Sequence, residues 1–180
     1  VSPILDITAA RLFFDGVADP SFRNPEGIAV APDGSIWCGT STGWVYRIEP
    51  DGSSAKAVAS TGGFVLGIDF DRNGNLYACD MLQATVLRLP SAGDTFEPFA
   101  RPADSPILIP NVVVVDDAQG VVYVSDSHGD HDPGPGIWRF DLATGEGRLW
   151  YAGDLDFANG MCLSADRSAI FVAESWGRRV

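Results

Sequence analysis

Glu26, Asn111 and Asn159 stand at one position of a repeated motif: Pro25-Glu26-Gly27, Pro110-Asn111-Val112 and Ala158-Asn159-Gly160. A carboxylate and two amides offer hard oxygen donors, the kind a cation such as Ca²⁺ prefers. Such a set leaves coordination positions for water and a substrate oxygen. Singly, each residue has a structural explanation. Glu26 reads as a solvated turn carboxylate, Asn111 after Pro110 as a turn residue, and Asn159-Gly160 as a common turn dipeptide. Their shared position in the repeat is what points to a shared site.

Four segments carry the repeat. Their frame positions are Gly27, Gly67, Val112 and Gly160, separated by 40, 45 and 48 residues. An aromatic follows each frame position, at Trp37, Tyr77, Tyr123 and Phe171. Asp33-Gly34 and Asn73-Gly74 supply residues for tight hairpin turns. Each unit reads as short strands divided by turns. Third strands are predicted over Trp44–Ile48, Thr85–Leu89 and Gly136–Phe140, and fourth strands over Ala55–Ala59, Thr95–Ala100 and Gly147–Ala152. Pro and Gly interrupt every candidate helical window. Four strands per unit at this period mark an all-β protein, a β-propeller of four-stranded blades.

The blade assignment is 25–60, 65–100, 110–152 and a partial blade over 158–180, within one domain spanning 1–180. Arg11–Val17 reads as the outer strand of a closing blade whose other strands are missing. The expectation is a fragment of about three and a half blades from a larger ring. A complete four-bladed ring would have to explain a blade that ends after two strands. In a propeller the innermost strands run along a central channel. Equivalent positions at their starts therefore converge at one mouth. The fourth equivalent position is Leu66, which brings no oxygen.

Composition narrows the partners. Twelve basic and 24 acidic residues give a net charge of −12. That acidity argues against a phosphate backbone and an anionic membrane surface as partners. No apolar run approaches a membrane span. Cys38, Cys79 and Cys162 lie in apolar strand-like runs without metal-type spacing and read as buried free thiols. The five tryptophans read as packing between blades. Neither end carries a recognisable targeting signal, both ends read as cuts, and the compartment is left unassigned.

Several motifs in this order resemble a known superfamily. They are Pro25-Glu26-Gly27, Asn111, Val124-Ser125-Asp126-Ser127, Phe157-Ala158-Asn159-Gly160 and Val172-Ala173-Glu174-Ser175-Trp176. The chain resembles the senescence-marker protein/gluconolactonase (regucalcin-like) family and its strictosidine synthase-like relatives. The resemblance implies a six-bladed ring with a catalytic divalent cation, Ca²⁺ before other metals, in the channel. It implies Glu26 and Asn159 as ligands, and Asn111 as a ligand or substrate contact. It also implies a general base from a blade beyond Val180. Val112 departs from the Asp common after the middle Asn, and Ala158 and Asp166-Arg167 depart from the Pro and Asp-Gly common in the fourth motif. The implied activity is metal-assisted hydrolysis of a lactone or related ester, with the 180 residues alone inactive.

The longest insertion, Asp126–Gly136, holds both histidines, His128 and His131. It reads as a substrate loop with His128 as a proton carrier, as a surface metal site, or as a solvated Pro/Gly-stiffened loop. Two other functions compete with hydrolysis. One is a non-enzymatic binding propeller of NHL type, which Leu66–Asp80 resembles. The other is a metal-free strictosidine synthase-like enzyme.

Overall fold

A computed structural model describes residues 7–127 and 135–180. His128 and His131, and with them the substrate-loop reading, lie outside the described residues. The described chain is all-β apart from one short 3₁₀ turn at Ile7–Ala9.

The first sheet holds β1 (Pro25–Val30), β2 (Ile36–Thr40), β3 (Trp44–Ile48) and β4 (Ala55–Ser60) in sequential order. The second holds β5 (Val65–Phe70), β6 (Leu76–Asp80), β7 (Thr85–Leu89) and β8 (Glu97–Pro98). The third is built from β10 (Pro110–Asp116), β11 (Val121–Asp126), β12 (Gly136–Asp141) and β13 (Glu146–Tyr151). A short β9 (Arg101–Pro102) pairs parallel to β13 at its outer edge. The last sheet pairs only β14 (Ala158–Leu163) with β15 (Ile170–Glu174). These are the meander sheets of propeller blades, three of them complete and a fourth with two strands.

Packing follows from the alternation of side chains along each strand. Ala29, Val45 and Ala59 of blade 1 meet Val65, Ile68 and Leu76 of blade 2. Tyr77, Cys79 and Val86 of blade 2 meet Val113, Val122 and Trp138 of blade 3. Val121, Tyr123 and Ile137 of blade 3 meet Leu155 and Ala158 of blade 4. Each interface is a thin apolar layer between successive sheets. Full burial of a Val, Leu or Ile there contributes about 1.5–3 kcal/mol. Ala29 is buried while Ile28 and Val30, on the opposite face of β1, are exposed.

Two sequence expectations are corrected. Arg11–Val17 forms no strand. Tight turns from Gly16 to Asp19 and from Asp19 to Phe22 use the backbone instead of a ladder. Phe22 then stacks edge-on against Phe14 and Tyr46. The segment still runs where a preceding blade's last strand would run. A Cβ on Gly52 would lie 2.2 Å from the carbonyl oxygen of Phe13, as one on Gly145 would lie 2.1 Å from that of Phe99. Second, the outer strand of blade 2 shrinks to Glu97–Pro98, because Pro98 has no N–H to extend the ladder. Phe99 and Ala100 instead both donate to the carbonyl of Val86.

Among the cysteines, Cys38 and Cys79 are buried, but Cys162 is exposed. It lies on a stretch of β14 where burial alternates and one face is open.

Candidate functional site

Each inner strand begins with the same irregularity. The antiparallel register shifts between Pro25 and Ile28, between Val65 and Ile68, between Pro110 and Val113, and between Ala158 and Met161. The bulged residues are therefore Glu26-Gly27, Leu66-Gly67, Asn111-Val112 and Asn159-Gly160. A bulge inserts an unpaired residue and re-aims its side chain. All three proposed oxygen donors sit on these bulges, at the same end of their strands.

The bulges nest against one another. A Cβ on Gly27 would lie 2.4 Å from the carbonyl oxygen of Leu66, and one on Gly67 would lie 2.6 Å from that of Asn111. Glycine is required at these two positions by close backbone approach, which draws blades 1, 2 and 3 together at this end. Blade 4 is joined differently. Ser125 Oγ donates to the carbonyl of Asn159 at 3.0 Å while accepting from Val112 N at 3.0 Å. Ser127 Oγ donates to the carbonyl of Ala158.

Both asparagines present their amide nitrogens to a serine 16 residues on. Asn111 Nδ2 donates to Ser127 Oγ at 3.0 Å, and Asn159 Nδ2 donates to Ser175 Oγ at 2.9 Å. With each nitrogen engaged, the remaining polar atom of each amide is its Oδ1 acceptor. Asn111 is buried, Asn159 is half-buried and Glu26 is exposed. Cys38 lies near Glu26, and its thiol donates to the carbonyl of Gly39. Burial pushes its thiol up to about 11; a hydrogen bond from the Glu26 backbone pulls against this and the Glu26 charge adds to it.

In blades 2, 3 and 4 the carboxylate ending the second strand fixes the loop that leads into the bulge. Asp80 accepts from Phe64 N and Gln83 N, and Asp126 from Leu108 N, Ile109 N and Trp138 Nε1. Glu174 accepts from Asp156 N and from the Arg179 guanidinium. These carboxylates are buried and committed to structure. Among the described residues, no three His, Cys, Asp or Glu side chains gather into a metal-binding cluster. The bulge set itself offers one carboxylate, Glu26, and two amides, Asn111 and Asn159.

The serines were missed by sequence reasoning as site residues. The equal spacing from Asn111 to Ser127 and from Asn159 to Ser175 was the available signal. A polar cleft of about 610 Å³, lined by Asp71, Arg72, Arg88 and Asp117 among others, lies at the opposite ends of the strands. It is unrelated to the bulge site.

The family model for the SMP-30/gluconolactonase/LRE-like region matches residues 57–180. The chain belongs to that family. Residues 17–48 match the N-terminal part of strictosidine synthase-like proteins. Two Arabidopsis thaliana proteins, strictosidine synthase-like 4 and 6, are 29% and 31% identical, over 87% of this chain and 46% of their own lengths. The chain thus spans about half the length of the curated relatives it matches. A gluconolactonase from Xanthomonas campestris superposes with a TM-score of 0.69 at 19% identity, over 84% of this chain and 54% of that one. A chain of the nidogen/laminin complex superposes with a TM-score of 0.73 at 16% identity, over 86% and 58%. At these identities the two structures show the fold alone, and that fold is the propeller. Among the described residues, no helix is long and apolar enough to cross a membrane.

Proposed function

We propose that this SMP-30/gluconolactonase-family chain forms part of a six-bladed hydrolase of lactones or related esters. In this reading a divalent cation, Ca²⁺ first among candidates, sits at the axis, held by Glu26, Asn111 and Asn159. The observation that carries it is the placement of these three oxygen donors on equivalent bulges, with both amide nitrogens engaged elsewhere. Glu26 contributes the negative charge, and the asparagines contribute neutral oxygens that do not overload the site with charge. The cation, when bound, supplies polarisation of the substrate carbonyl and stabilises the charge developing on its oxygen. Asn111 is assigned a second role in this reading, orienting a substrate hydroxyl or carbonyl. The general base is assigned to a blade outside these residues.

A second reading has one observation in its favour. Residues 17–48, which include Glu26, match strictosidine synthase-like proteins. A metal-free enzyme on the same ring would rely on a Glu from a later blade. Turnover of a broad lactone panel by the full-length protein separates the two. Hydrolysis that a chelator abolishes and Ca²⁺ restores is expected. Absent or chelator-insensitive turnover would overturn the metal-dependent reading.

A further inference from the structure

A serine hydroxyl has one proton, and in Ser127 that proton is spoken for. Ser127 is fully buried and its Oγ donates to the carbonyl oxygen of Ala158, a group that can only accept. Toward Asn111 the same oxygen can therefore only accept. Asn111 must meet it with Nδ2, as it does at 3.0 Å. The reverse orientation would set two acceptors against each other inside the protein, at the cost of an unsatisfied buried group. The proton of Ser127 thus decides which end of the Asn111 amide faces away.

That outward end is Oδ1. No hydrogen bond from a described residue reaches it, and it is not sealed in: the buried side-chain atoms without partners, among the described residues, are Asp116 Oδ2 and Asp156 Oδ1. The residue ahead of Asn159 is bonded by the same hydroxyl, and the carbonyl of Asn159 itself is bonded by Ser125. One pair of buried serines on blade 3 therefore sets both the orientation of one asparagine and the backbone position of the other.

We infer that Ser127 is a positioning residue that holds Asn111 Oδ1 toward the axial cation. The inference rests on the ligand set proposed above. Partners that orient metal ligands typically change affinity by 10–100-fold when removed.

The test is a double-substitution cycle read by calorimetric titration of the full-length protein with Ca²⁺ alone. Ser127→Ala should weaken binding about tenfold or more. Asn111→Asp removes the donor end, so an oxygen faces the cation whichever way the group turns, and the Ser127 Oγ contact becomes acceptor against acceptor rather than an orienting bond. In that background Ser127→Ala should cost less than about threefold, with thermal melts confirming that every variant folds. Ser127→Thr, which keeps the hydroxyl, should bind Ca²⁺ within about threefold of the unsubstituted protein. Equal loss in both backgrounds, or no loss in either, overturns the positioning role. Ca²⁺ affinity unchanged by Glu26→Gln as well overturns the ligand set itself, and the inference with it.

Discussion

Blades 3 and 4 carry the same asparagine at the same bulge, yet the two sites are built to different tolerances. Asn111 is buried and its amide is held by a serine whose proton is already committed. Asn159 is half-buried and its amide meets Ser175, with no backbone acceptor described for that hydroxyl. The neighbouring glycines differ in the same way. Gly67 is clamped against the blade 3 backbone, whereas a Cβ on Gly160 would find its nearest neighbour, Ala173 Cβ, at 4.0 Å. The difference shows that a repeat conserves where a side chain is placed, while the neighbouring blade decides how firmly it is held.

The largest expected effect is on that clamp. Gly67→Ala drives a Cβ into the backbone of Asn111 and Val112. It should cost about 2–3 kcal/mol of stability, at the upper end of overpacking penalties. Gly160→Ala should change stability by less than about 0.5 kcal/mol. Urea unfolding of both variants checks the contrast, and equal costs would erase it.

Next is the serine pair. Ser175→Ala should weaken Ca²⁺ binding less than about threefold, against about tenfold or more for Ser127→Ala. Calorimetric titration reads both, and a reversed order would contradict the account of which amide is locked.

A third prediction concerns Arg167, which adopts a left-handed backbone at φ 59° where the other blades place glycine. Its guanidinium reaches across to buried Asp116. Burial pushes the Asp116 carboxyl up, but Arg167 and the N–H groups of Gln119 and Ala118 outweigh it and hold it below the usual range. Arg167→Gly relieves about 1–2 kcal/mol of backbone strain and forfeits a charged hydrogen bond of about 1.5–3 kcal/mol. A net loss of about 1 kcal/mol is expected by chemical denaturation. A gain in stability would show that strain dominates.

The smallest effect is pH-dependent and confined to blade 4. Glu174 is held below its ordinary value of 4.5, first by Arg179 and then, against the opposing effect of burial, by Asp156 N. A depressed carboxyl contributes stability above its unfolded value and loses it as pH falls through the folded one. Protection factors for the amides of Asp156 and of 174–179 should therefore fall below about pH 4.5, ahead of those in blade 3. Asp126, at the equivalent place in blade 3, is held by Leu108 N, Ile109 N and Trp138 Nε1. Simultaneous opening of both blades would remove the distinction.

The blades were legible because their signals are local. Turn pairs such as Asp33-Gly34 and Asn73-Gly74, and the aromatic in each second strand, announce hairpins wherever they recur. The common placement of Glu26, Asn111 and Asn159 was legible for the same reason. The bulges were not, since a register shift depends on how two strands pair and leaves no residue type behind. Nor were the roles of Ser125 and Ser127, which come from the approach of blade 4. Arg11–Val17 misled because its place ahead of blade 1 is that of a closing blade's outer strand. A strand also needs a ladder partner, and the described residues offer it none. Arg167 looked like a lapse from the turn pattern, and its reason lies 51 residues away at Asp116.

The central claim is that Glu26, Asn111 and Asn159 hold one cation. A crystal structure of the full-length protein soaked in Mn²⁺, read by anomalous scattering, tests it most directly. The account predicts one strong peak bounded by a Glu26 carboxylate oxygen and by the Oδ1 atoms of Asn111 and Asn159. A peak elsewhere in the channel, or these three oxygens turned away from a common point, would contradict it.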